Sequence, residues 1–270
     1  MYIFLGLVLL VLLLLFVLFL VLFLVRRVQV SVRARVRNSR ENSHGNIKYY
    51  AICLKSDEKR VENVRRMSLV LPNLTIIDAV TPRDLDAPKV RKLFSTGFVR
   101  DTIDAFVRDR EISVGQLACF LSHRKAFERI SKDLGPFDKA VIIEDDVILH
   151  SSFVETIEKT TMALDDEPID MINFYIHPGT HHPPLDHLNR RNLTPTPRGF
   201  WGTQCYAFKR GGLVILEGGT SGMLGAIDEQ ITRIPCIRSM TYEGPPIVHE
   251  DREGTPSTIA NSTSLAKMLE

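Results

Sequence analysis

Three consecutive carboxylates, Glu144-Asp145-Asp146, follow directly on the apolar run Ala140-Val141-Ile142-Ile143, and Val147-Ile148-Leu149 resumes the apolar pattern at once. Four such apolar residues read as a short, fully buried strand in a mostly parallel sheet. The carboxylates then fall at its carboxyl end, where open α/β sheets bind ligands. Three adjacent anions repel one another, so holding them together costs stability unless a cation neutralises them. Hard oxygen ligands with open positions suit magnesium or manganese, ions that usually bridge protein and substrate phosphate. A solvated acidic turn is the plainer alternative.

The elements that must position this tip alternate between strand and helix. Strands are expected over 47–54 and 74–80, with a charged helical stretch over 57–69 between them. Residues 88–110 read as irregular or weakly helical. Ser113-Val114-Gly115-Gln116 has capping-box form and opens the clearest helix, which runs to about Lys132 with Leu117, Phe120, Leu121, Phe127 and Ile130 as its apolar stripe. Ser152 with Glu155 is expected to cap another helix ending near Leu164. Strands over 169–176 and 203–208 follow, separated by a long loop over 177–200 that carries His177, His181, His182 and His187. Their spacing matches no zinc pattern, and a substrate-facing loop is the better reading. Gly211-Gly212 read as a chain break, and a short helix is expected over 224–234. Alternation of this kind indicates one α/β domain over 47–260 with a largely parallel sheet, followed by a tail over 261–270.

Residues 2–25 are uncharged and almost wholly Leu, Val, Phe and Ile. As a helix they would extend about 36 Å, enough to cross a hydrocarbon core of about 30 Å, so an uncleaved membrane anchor is expected. Residues 26–46 read as a stem, opening with Arg26, Arg27, Arg33, Arg35, Arg37 and Arg40. Setting those six aside leaves 28 basic against 32 acidic side chains, a net charge of −4 for the remainder. The basic character therefore belongs beside the anchor, where it suits anionic lipid, and a nucleic-acid partner is excluded. Membrane sidedness stays open: the basic flank favours the cytoplasm. Three glycosylation sequons, at Asn73, Asn192 and Asn261, would matter only in an endomembrane lumen. Cys53, Cys119, Cys205 and Cys236 form no CxxC or zinc spacing and read as buried free thiols.

Several segments together resemble glycosyltransferase family 25, which includes lipooligosaccharide and procollagen galactosyltransferases. Tyr50-Ala51-Ile52-Cys53-Leu54-Lys55 with Arg60 and Arg65-Arg66 resembles the family's opening strand and Arg-bearing segment. Ile77-Asp78-Ala79-Val80 is similar to its second strand. The run from Ser113 to Phe127, containing Ser122-His123, is close to its glycine-to-Ser-His helix. Val141 to Asp146 aligns with its Glu-Asp-Asp motif, Gly202-Thr203-Gln204-Cys205-Tyr206 with Gly211-Gly212 matches its Gly-Thr-x-x-Tyr block, and Ile227-Asp228-Glu229 matches a late Asp.

The resemblance implies a GT-A-like fold, a nucleotide-sugar donor (most often UDP-galactose), a glycan or protein acceptor, and a divalent cation, usually manganese. It implies metal ligation by Glu144, Asp145 and Asp146, with Asp146 the main ligand and Asp145 the second, and His249 completing the shell from the C-terminal side. If the strand continues, Glu144 and Asp146 share a face and Asp145 points elsewhere, toward the donor sugar or ribose. Arg60, Asp78, Ser122, His123 and Thr203 are the other expected donor-binding residues, Arg60 against the diphosphate. Asp228 is the first candidate for the general base on the acceptor hydroxyl and Glu229 the second. One block departs from the pattern, with Cys53 where the family usually has Asn. A backbone contact to the nucleotide would survive that change and a side-chain contact would not, so a non-catalytic relative that binds a glycan or partner is the alternative.

Overall fold

A computed structural model describes residues 45–99, 112–176, 192–199 and 202–251. The chain divides into Met1–His44 and Gly45–Glu270. The expected anchor over 2–25, nearly all of the stem, the four histidines of 177–187 and the C-terminal tail lie outside the described residues. Among the described residues, no helix is long and apolar enough to cross a membrane.

The first three strands are β1 (Ile47–Cys53), β2 (Thr75–Asp78), which forms an edge of the sheet, and β3 (Lys139–Glu144), built from the β-branched and aromatic runs that favour a pleated surface. Between β1 and β2 lies α1 (Glu58–Val70), whose N-cap Asp57 accepts the backbone N–H groups of Lys59 and Arg60. A single 3₁₀ turn (Pro82–Asp84) and α2 (Ala87–Ser95) follow β2. The long helix α3 (Val114–Asp133) starts at the expected capping box: Ser113 Oγ accepts from Gln116 N, and Gln116 Oε1 accepts from Ser113 N.

After β3 come β4 (Val147–Leu149), α4 (Phe153–Thr161), α5 (Ala163–Asp166) and β5 (Met171–Asn173). The chain then forms β6 (Leu193–Pro195), β7 (Cys205–Lys209), α6 (Arg210–Gly219), α7 (Ile227–Arg233), β8 (Ser239–Tyr242) and β9 (Val248–Glu250). Seven strands form one sheet in the order β2-β1-β3-β7-β5-β8-β6, while β4 and β9 pair separately. The sheet is mixed. Pairs β1–β2, β1–β3 and β5–β8 are parallel, but β7 runs antiparallel to both β3 and β5, and β6 runs antiparallel to β8.

Strand alternation sends side chains into two separate cores. Tyr50, Ile52, Ile142, Tyr206 and Phe208 pack on one face against Phe120, Phe127 and Ile130 of α3. Tyr49, Ala51, Cys53, Val141 and Ile143 pack on the other against Val64 and Met67 of α1 and Phe153 and Ile157 of α4. Helices therefore cover both faces, as a sheet with buried parallel strands requires.

Five expectations change. Of the four thiols read as buried, Cys53 and Cys205 are, but Cys119 is only partly buried and Cys236 is exposed. Ser152 makes no cap, because its hydroxyl bonds His150 Nδ1 at 2.9 Å instead, and the helix expected to reach Leu164 is interrupted at Met162. The strand expected over 169–176 is only three residues long. Leu193–Pro195, read as loop, forms β6 by pairing with β8. Gly211 and Gly212 do not break the chain but open α6. A Cβ on Gly212 would stand 2.2 Å from the Asp170 carbonyl oxygen, so close approach, not a turn, explains that glycine.

Candidate active site

The acidic tip sits where β3 ends. Glu144 is its last residue, and Asp145-Asp146 form a two-residue turn into β4. Strand alternation therefore stops at Glu144, and all three carboxylates line one cleft. Asn63 of α1 pins the turn by donating to the Asp145 and Val147 carbonyls at 2.9 and 2.7 Å.

Asp145 is the most constrained of the three. One carboxylate oxygen is paired with the Arg60 guanidinium and the other accepts the Leu54 N–H. Both groups are buried, at 4 % and 6 % exposure. Burial lifts the Asp145 carboxyl above its usual range, against the pull of Arg60. Arg60, expected at a donor diphosphate, is thus already an internal counter-cation, with a further Nη2 contact at 3.6 Å to Asp146 Oδ2. With both its oxygens engaged, Asp145 is less available to a cation than its neighbours.

Glu144 heads a hydrogen-bonded chain. Its Oε1 accepts from Thr203 Oγ1 at 2.8 Å and lies 3.2 Å from His123 Nε2. His123 Nδ1 in turn lies 2.9 Å from the Tyr206 hydroxyl, and the two rings stack with centroids 5.8 Å apart. A neutral imidazole satisfies both bonds, donating from Nε2 to Glu144 and accepting from Tyr206. Burial works to raise the Glu144 carboxyl, but hydrogen bonds from His123 and the Thr203 hydroxyl and the charge of Arg60 leave it below the ordinary range. Burial and the Glu144 charge hold the Tyr206 phenol well up. The sequence marked Tyr206 as part of a Gly-Thr-x-x-Tyr block but gave no sign of its contact with His123.

Asp146 differs. Its Oδ1 is buried with no hydrogen-bond partner among the described residues. Burial, then the charge of Glu144, with further contributions from Asp145 and Glu250, push its carboxyl up to about 7 despite Arg60. An orphaned carboxylate oxygen beside a second carboxylate is what a hard divalent cation would satisfy, so Glu144 and Asp146 fit such an ion. Glu250 was not anticipated. It reaches this region because β9 pairs with β4, placing Glu250 opposite Val147 while Asp251 N donates to the Asp146 carbonyl. His249, its neighbour on β9, is exposed and lines a second cavity with Phe174, Tyr242 and Pro246. Among the described residues, the one metal-competent group of three or more whose ligand atoms lie within 4.8 Å of one another is Cys119, His123 and Glu144, which includes none of Asp145, Asp146 and His249.

The other expected residues separate. Asp228, in the first turn of α7, accepts Gly202 N–H through Oδ2 at 3.1 Å and Glu229 N–H through Oδ1 at 2.8 Å. Gly202 adjoins Thr203, so Asp228 belongs to the same cluster. Burial raises its carboxyl above the ordinary range, with the Glu144 charge adding to the effect. Glu229 lines a different, largely apolar cavity with Leu224 and Ile234. Ser122 lines the cleft but is committed structurally: its hydroxyl accepts Val80 N–H and donates to the Ala118 carbonyl, both at 2.8 Å. Asp78 is half-exposed at the end of β2 and pairs with Lys55 at 2.6 Å. Cys53 is buried in the core on the α1 side of the sheet, while its neighbours Ile52 and Leu54 line the cleft. The departure at Cys53 therefore takes no side chain out of the cleft.

The sequence profile of glycosyltransferase family 25 (LPS biosynthesis protein) matches residues 46–213. That span runs from the start of β1 into the first turn of α6 and contains Arg60, His123, the three carboxylates, Thr203 and Tyr206; Asp228, Glu229 and His249 lie beyond it. No curated protein matches the chain. With well over half of its length carrying that profile around an acidic strand-end cleft, the chain belongs to glycosyltransferase family 25.

Proposed function

We propose that this glycosyltransferase is a membrane-anchored, metal-assisted hexosyltransferase that moves galactose from UDP-galactose to a hydroxyl of a glycan or protein acceptor. A GT-A-like arrangement suits the parallel β2-β1-β3 half of the sheet, which delivers the acidic turn to its carboxyl edge. The cleft runs from Leu54, Ala79, Val80 and Pro82, at the ends of β1 and β2, to the carboxylates. The nucleoside would lie along the first group and the diphosphate at the second.

The observation that carries the proposal is the partnerless, buried Oδ1 of Asp146 beside Glu144. Manganese held by these two carboxylates supplies charge neutralisation for a leaving diphosphate. Arg60 holds Asp145 and the turn in place, so that Glu144 and Asp146 face the donor. Thr203 and His123 fix the Glu144 carboxylate through its Oε1. Asp228 takes the acceptor hydroxyl proton onto its carboxylate, a role that suits a carboxyl raised by burial.

Incubating the full chain in detergent with UDP-galactose, manganese and a panel of saccharide acceptors tests the reading. Transfer should require the ion and fall at least about 100-fold in Asp146→Ala. Undiminished transfer in that variant would refute the metal role, and faster turnover of UDP-glucose would replace galactose.

A further inference from the structure

We propose that Cys119, His123 and Glu144 form a zinc site that shares only Glu144 with the manganese pair. Cys119 and His123 stand four residues apart on α3, hence on one face of the helix, and that face meets the end of β3. Their ligand atoms and the Glu144 carboxylate lie within 4.8 Å of one another. His123 Nε2 and Glu144 Oε1 are already 3.2 Å apart. Two ligands of a tetrahedral zinc ion, with bonds near 2.0–2.1 Å, are separated by about 3.3 Å, so this edge of the site is preformed.

The supporting contacts match those of a bound ion. A histidine ligand is usually fixed by a hydrogen bond at its other ring nitrogen. Here His123 Nδ1 meets the Tyr206 hydroxyl at 2.9 Å, and Thr203 orients Glu144 at 2.8 Å. All three ligands line the cleft, which leaves a route of entry and an open fourth position. A thiolate and an imidazole favour zinc over manganese, whereas Glu144 with Asp146 offers oxygen alone. On binding, the Cys119 thiol proton leaves to solvent, the His123 proton moves from Nε2 to Nδ1, which then donates to the Tyr206 oxygen as the hydroxyl hydrogen turns away, and the Nε2–Glu144 hydrogen bond is replaced by two metal bonds. If Glu144 also serves manganese, as proposed above, zinc displaces that ion from the cleft.

Cobalt is the probe, because a thiolate ligand gives it a charge-transfer absorption. Added to the reduced full chain, cobalt should produce that band, and one equivalent of zinc should abolish it. Cys119→Ser should lose the band, while Cys236→Ser and Asp146→Asn should retain it. In the wild type, zinc should slow alkylation of Cys119 at least tenfold, read by peptide mass spectrometry, a measurement that needs no variant to fold. No band in the wild type, a band surviving in Cys119→Ser, or unprotected Cys119 would each overturn the site. None of these readouts depends on sugar transfer, so the zinc site and the transferase reading stand or fall separately.

Discussion

Arg60 and Asp145 bury opposite charges against each other beneath the acidic turn, and the pair has no easy substitute. Removing one partner of a buried pair strands the other and costs about 3–5 kcal/mol. Arg60→Met should lower unfolding stability by that amount in a denaturant titration, and should also release Asp145 from its fixed orientation. Asp146 carries a second, pH-dependent cost. Its carboxyl is raised from 3.8 to about 7, so the folded state binds this proton more tightly than the unfolded chain. Stability of the metal-free protein should therefore fall as pH rises from about 4 to 7, with the full penalty present above 7. A bound cation removes the penalty, so the thermal shift given by manganese should be larger at pH 8 than at pH 5.5. The acidic triplet was readable in sequence because it follows directly on a buried apolar strand, although a solvated acidic turn would have looked the same. Glu250 and Tyr206 were not, because their places are set by pairing with strands far away in the chain.

At the scale of elements, period and caps carried the reading where a helix or strand was long. The capping box at Ser113 and the stripe of α3 follow from local chemistry alone, and both are present. β6, β8 and β9 have three or four residues each, too few to show a period, and exist only because partners offer their hydrogen bonds. The glycine pair was misread because a Gly-Gly dipeptide signals a turn and equally a tight helix-to-backbone approach. The two positions now make opposite predictions. Gly211→Ala meets nothing within 4 Å and should stabilise the protein by up to about 1 kcal/mol. Gly212→Ala drives its methyl into the Asp170 carbonyl and should lower the thermal midpoint.

For the whole molecule, alternating strands and helices announced an α/β domain, but the antiparallel insertion of β7 between β3 and β5 could not be read from alternation. Strand direction depends on where the intervening chain crosses, which a linear pattern does not encode. The proposed anchor makes a separate prediction. The full chain should sediment with membranes and resist alkaline extraction, and deletion of residues 2–25 should release it. If the domain faces a lumen, the exposed Asn73 should carry a glycan, and Asn73→Gln should abolish one mobility step on deglycosylation.

The β4–β9 ladder joins Val147, one residue past the acidic turn, to Glu250, about a hundred positions later. During synthesis the carboxylates thus emerge long before the strand that pairs beside their turn. A protease cutting between Tyr242 and Val248 would leave the seven-stranded sheet covalently whole, with β9 held at the acidic turn only through its ladder with β4.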